Sequence, residues 1–135
     1  MKQKIIKYLL TLFAFLMVGC CYQNDKLLII NKSKREIYYT TLLKSKVDST
    51  YFSNSGGGNI EINGTSNPIV RQSISSTIDE LSAEKMLYVV YFDLKDQEFV
   101  YKNINSILTN PKVKVNKYSK KELENLNWIL EFNDK

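Results

Sequence analysis

The chain has no histidine, so the side chain most used for acid–base work near neutral pH, and for holding metals, is missing. Ser-His-Asp and Cys-His arrangements are therefore excluded. Cys20 and Cys21 are the only thiols. Adjacent cysteines strain a mutual bridge, so no disulfide framework supports the fold. Asp93 and Asp96 flank a turn. Two acids within four residues lack the several oxygen ligands at set spacing that calcium takes, and they read as turn residues. Gly56-Gly57-Gly58 runs into Asn59-Ile60-Glu61 rather than the Gly-Lys-Ser/Thr ending of a phosphate loop, and reads as a flexible surface loop. Trp128 has a face that a sugar could stack on, but its alternation with Leu130 and Phe132 puts it in the core. No catalytic residue, metal site or cofactor is expected.

Cys20 has the most informative surroundings. Lys2, Lys4 and Lys7 precede an uncharged apolar run from Tyr8 to Val18, the order of a secretory signal. The run is about half of the ~20 residues that a spanning helix needs. It ends in Leu16-Met17-Val18-Gly19-Cys20, which resembles the lipobox of bacterial lipoproteins. That resemblance implies a diacylglyceryl group on the Cys20 sulfur, cleavage between Gly19 and Cys20, and acylation of the new amino group. Cys21 is the competing site, but it would put Cys20 where the small residue belongs.

Removing residues 1–19 takes away three lysines and changes the charge argument. The whole chain carries +5; residues 20–135 carry 16 basic and 14 acidic side chains, a formal +2. So small a balance gives no reason to expect a nucleic-acid partner. Lys112, Lys114, Lys117, Lys120 and Lys121 read as one solvated face of a strand and a helix start. The mature length suits one domain with one core. Nine tyrosines and six phenylalanines point to a β-rich core with aromatic cross-strand pairs.

The elements follow from periodicity and punctuation. Residues 21–26 are polar and read as a tether. Leu27–Ile30 and Glu36–Leu43, separated by the polar stretch 31–35, read as a hairpin. Ile60 and Ile62 lead into Asn63-Gly64, a pair suited to a type I′ turn. Pro68 permits only a short or edge strand at 69–72. Thr77 with Glu80 could open a helical turn. Met86–Phe92 is apolar on both alternating sets, so it should lie centrally and be covered on both faces. Residues 98–106 lean to a helix. Val113 and Val115 should point inward. Ser119 and Glu122 form a capping box for a short helix over 120–126, followed by a last strand with Trp128, Leu130 and Phe132 on one face.

The stretch Tyr118-Ser119-Lys120-Lys121-Glu122-Leu123-Glu124-Asn125-Leu126-Asn127-Trp128-Ile129-Leu130 resembles the ending of short Bacteroidetes lipoproteins. These also begin with an apolar strand, an Asn-x-Ser turn and an Ile-Tyr strand, as at Leu27–Tyr39. The resemblance implies a cell-envelope location and no particular activity. Exported surface lipoproteins of that group carry an acidic cluster after the cysteine, whereas Asp25 is the only acid near it here. Asp48-Ser49-Thr50 resembles the acceptor triplet for O-glycosylation in the same group, which would make Ser49 the modified residue.

The expected protein is thus mainly β: a single-domain antiparallel β-sandwich or open sheet with one short C-terminal helix. Residues 1–19 would be signal, 20–26 tether and 27–135 domain. It would be anchored by acyl chains on Cys20, most simply in the outer membrane, as a non-catalytic binding or structural module with a protein or glycan partner. A periplasmic inhibitor or immunity lipoprotein is a variant of that reading. A glycan or cell-wall hydrolase is the rival.

Overall fold

The computed structural model describes residues 23–134. The 1–19 signal and Cys20 therefore lie outside the described residues. The fold is mainly β, as expected, with several short helices besides the C-terminal one. At its centre β3 (Ile37–Lys44) pairs antiparallel with β8 (Met86–Phe92), Thr41 opposite Val89. Both runs are dense in β-branched and aromatic residues and are buried on alternate sides, which only a covered interior strand permits. The central placement of 86–92 is as the sequence indicated.

β9 (Lys114–Ser119) flanks β8 antiparallel. The outer edge of β3 is shared. β4 (Tyr51–Ser53) takes Leu42–Lys44 and β5 (Gly58–Ile60) takes Ile37–Tyr39. The intervening residues 54–57 leave the ladder beside Thr40 and Thr41. A second sheet is built on β2 (Leu28–Asn31), with β10 (Ile129–Phe132) parallel on one side and β6 (Thr65–Ser66) antiparallel on the other. β1 (Gln23–Asn24) and β7 (Ile69–Val70) form a two-stranded antiparallel ribbon.

Strand alternation divides the interior into two clusters. Ile37, Tyr39, Leu43, Leu87, Val89 and Tyr91 face the second sheet and meet Leu27, Ile29, Leu130 and Phe132. The same cluster takes in Ile74 and Ile78 of α1 (Ile74–Glu80) and Leu123 of α3 (Lys120–Asn125). Leu42, Tyr88, Val90 and Phe92 face the other way. They are covered by α2 (Gln97–Lys102), through Val100, and by the 3-10 turn Ile107–Thr109, through Ile107. The helix expected over 98–106 is thus a short helix followed by turns.

Local signals at the C-terminus hold. The Ser119 hydroxyl accepts from the Glu122 N–H while the Glu122 carboxylate accepts from the Ser119 N–H, closing the capping box. The helix ends with the Trp128 N–H on the Leu123 carbonyl at 2.7 Å and the Asn127 N–H on the Glu124 carbonyl at 3.0 Å. This is a Schellman closure, with Asn127 supplying the left-handed residue at φ 51°. Trp128, Leu130 and Phe132 are then buried while Ile129 and Glu131 face out.

Four local expectations change. β2 and β3 are not a hairpin. The fully buried Asn31 amide donates to the carbonyls of Arg35, Ile60 and Glu61, and its oxygen accepts from the Ser33 N–H and hydroxyl. This turns the chain from one sheet into the other. The helix near Thr77 begins earlier, capped by the Ser73 hydroxyl on the Ser76 N–H, and Thr77 is buried within it. The turn at 61–64 is centred on Ile62-Asn63, with the Gly64 N–H on the Glu61 carbonyl and only Asn63 at positive φ, so it is not type I′ on Asn63-Gly64.

The fourth change concerns residues 23–26, expected in a tether. Gln23 and Asn24 pair with Val70 and Ile69. Asp25 is 5% exposed, and its carboxylate accepts from the N–H of Leu27 at 2.9 Å and of Ile74 at 2.8 Å. A carboxylate on the first N–H of α1 satisfies an orphan donor. Its own N–H donates to the Pro68 carbonyl. The chain is therefore fixed to the fold from residue 23 onward.

Candidate functional site

Two shallow clefts flank Tyr101, on α2. One, of about 490 Å³, is lined by Tyr51, Tyr101, Lys102, Asn103, Ile104, Asn105 and Ser106. The other, of about 480 Å³, is lined by Ser53, Asn54, Ser55, Gly56, Tyr101, Ile69 and Arg71. Tyr101 belongs to both. Its ring meets Phe92 edge-on at 6.4 Å, and its hydroxyl donates to the Gly56 carbonyl at 3.2 Å.

The glycine loop expected to be flexible is thereby pinned. Gly57 sits at φ +69°, and a Cβ there would run into the Tyr39 carbonyl and come within 2.9 Å of the Tyr101 hydroxyl. Only glycine fits both constraints. Under the loop, Thr41 and Ser55 hydroxyls pair at 2.8 Å, and Thr40 meets Ser53 at 3.2 Å. The first cleft is tied to the sheet by the Tyr51 N–H donating to the Asn105 amide oxygen at 2.8 Å. Hydroxyls, amides and an aromatic edge make surfaces that exchange hydrogen bonds with a polar ligand, and neither lining contains a carboxylate.

A charged cluster stands beside the Tyr51 end of β4. Glu84 takes Lys44 at 2.8 Å and Lys117 at 3.4 Å and accepts from the Tyr88 hydroxyl. The Lys44 ammonium first, then the Tyr88 hydroxyl, hold the Glu84 carboxyl well below the usual range, at about 2. Burial, reinforced by Glu84, pushes the Tyr88 phenol up. Tyr51 packs edge-on against Tyr88 at 5.4 Å, and Lys117 lies 5.1 Å over the Tyr88 ring. A carboxylate held this far down by two cations is an ion-pair member, unsuited to donating a proton near neutrality.

The residues singled out by sequence are dispersed. Ser49 is exposed in the β3–β4 connection at φ 58°, beside an Asp48 carboxylate that accepts from the Thr50 N–H and hydroxyl. Those two Thr50 bonds hold Asp48 below its ordinary pKa. Asp93 pairs with Arg35, with Lys95 at 3.8 Å. Asp96 precedes α2 without a side-chain cap.

Trp128 is 6% exposed and covered by the Lys26 ammonium at 3.8 Å, so it offers no open face. The lysines are solvated as expected, with Lys112, Lys114, Lys117 and Lys121 exposed, but they do not share one face. Lys112 lies over Phe99, Lys114 over Phe132, Lys117 reaches Glu84, and Lys120 pairs with Asp79.

Sequence reasoning missed Tyr101, Tyr51 and Asn105, which come from separate segments and share no motif. Among the described residues no group of three or more Cys, Asp or Glu is placed to hold a metal ion, and no helix is long and apolar enough to cross a membrane. No protein-family model matches the chain, and comparison with curated proteins and with solved structures gives no match.

Proposed function

We propose that the chain is a cell-envelope lipoprotein, anchored by acyl chains on Cys20 in the outer membrane, that binds a protein or glycan through the clefts about Tyr101. The carrying observation is the order of Lys2, Lys4 and Lys7, the uncharged run to Val18, and Leu16-Met17-Val18-Gly19-Cys20. Two or three acyl chains hold a protein far more firmly than one. The binding half of the reading is supported by cleft linings of hydroxyls, amides and tyrosines. The hydrolase alternative has less support, since a glycosidase needs two carboxyl groups across one cleft.

The anchor is tested by membrane fractionation. Cys20→Ala should leave the protein unprocessed, whereas Cys21→Ala should be processed and membrane-bound; the reverse pattern overturns the assignment. The binding role is tested by recovering lipidated protein from its envelope with and without Tyr101→Ala. A co-purifying chain or glycan lost selectively with Tyr101→Ala supports it, and identical recoveries overturn it. Ser49 glycosylation predicts a hexose-scale mass addition on the 44–58 peptide of native protein.

A further inference from the structure

We propose that the β1–β7 edge of the domain, with Ile69 outermost, rests on the bilayer that holds the anchor. The proposal builds on lipidation of Cys20. Only Cys21 and Tyr22 stand between that residue and Gln23, so the leash spans at most about 10 Å. A domain of this length has a radius of gyration of about 13 Å. The leash is shorter than the body it holds, and the bonds that follow it oppose its lengthening by fraying. Gln23 and Asn24 are paired with β7, and Asp25 is locked by the N–H groups of Leu27 and Ile74 and the carbonyl of Pro68. Whatever surface surrounds β1 must therefore lie at the headgroup layer.

That surface suits the position. Ile69 is 54% exposed although it lies in a strand, opposite the exposed Asn24. Arg71 stands with Ile69 in the lining of the second cleft. An exposed apolar side chain at this edge suits the boundary of acyl chains and headgroups. The opposite pole is equally defined. β6 runs antiparallel to β2 and passes the Leu27 end, where Asn67 donates to the Asp25 and Leu27 carbonyls, before reaching β7. Lys34 lies beyond the other end of β2, its N–H held by Asp134 at 3.1 Å. Because Ile69 and Arg71 also line the second cleft, that cleft opens beside the membrane, and its partner is met at the headgroup layer.

The test uses lipidated full-length protein in a Cys21→Ser background, reconstituted into phosphatidylethanolamine–phosphatidylglycerol vesicles carrying a headgroup-level quencher. Ile69→Cys and Lys34→Cys are each labelled with an environment-sensitive fluorophore; both positions are exposed, so folding should survive. The label at 69 should be quenched several-fold more than the label at 34. A ten-residue Gly-Ser insertion between Tyr22 and Gln23 should remove most of that difference. Equal quenching at the two positions, with acyl chains verified on the N-terminal peptide by mass spectrometry, overturns the orientation and leaves the anchor standing. An N-terminal peptide without acyl chains overturns the anchor and the orientation together.

Discussion

The two faces of the β3–β8 pair are built from the same alternating run yet are closed differently. One face meets a second sheet and two helices, and its cluster reaches from Leu27 to Phe132 along the chain. The other is roofed by a single local segment, α2 and the turns to Thr109, and its rim carries Tyr51, Tyr88, Glu84 and the clefts about Tyr101. A cover contributed by many distant segments opens only with the whole fold. A cover of one local segment can open by itself. The binding surface we propose therefore sits on the less constrained side, where adjustment to a partner would cost least.

Deleting one buried side chain on each face separates these regimes. Leu87→Ala, in the wide cluster, should cost about 3 kcal/mol, because sheet and helices on all sides hold the cavity open. Ile107→Ala is equally buried, but the local roof can settle into the space, so about 2 kcal/mol, the low end for such a truncation, is expected. Urea midpoints check both values. Amide exchange should show residues 97–109 opening below the global unfolding free energy. Equal costs and uniform exchange would break the comparison.

Gly57→Ala probes the seam where the roof meets the sheet edge. Positive φ and a Cβ against the Tyr39 carbonyl should together cost about 2 kcal/mol. The mutation should also dislodge the Tyr101 hydroxyl from Gly56 and so weaken the proposed partner binding more than a core mutation of equal cost.

How far these features were legible depends on how local their causes are. The burial of 86–92, the Ser119–Glu122 box and the alternation of Trp128, Leu130 and Phe132 are each written within a few residues. The β2–β3 corner was misread because its determinant, Asn31, works through the carbonyls of Ile60 and Glu61. Residues 23–26 read as tether because the partners of Asp25 lie at Pro68 and Ile74. The clefts draw on β4, α2, β7 and two loops, so no window of sequence contains them.

Glu84 sharpens the comparison on the rim of the exposed face. Its folded pKa of about 2 lies below the ordinary 4.5. The stability it contributes is therefore fully present above that ordinary value and is lost as pH falls toward 2. Its side chain is 30% exposed, which discounts the ion pairs. Glu84→Gln should then cost about 1 kcal/mol near neutrality. The gap between variant and wild-type urea midpoints should close across that acid window. A constant gap would assign the loss to packing rather than charge.

The smallest effect is expected deep in the closed face. The Tyr91 hydroxyl is buried beside Phe132, at 4.7 Å between ring centroids, and has no hydrogen-bond partner among the described residues. Burial pushes its phenol up, so no ionised form compensates. An unsatisfied buried hydroxyl costs free energy that a phenyl ring does not, so Tyr91→Phe should be neutral or stabilise by up to about 1 kcal/mol. Tyr39, in the same cluster, has its hydroxyl 3.1 Å from that of Ser66. Tyr39→Phe strands the Ser66 hydroxyl and should destabilise by about 1 kcal/mol. Two tyrosines on adjacent strands of one face should thus respond with opposite sign to the loss of the same oxygen. Thermal midpoints moving in the same direction would mean that the Tyr91 hydroxyl has a partner, and that the closed face is wetter than its packing implies.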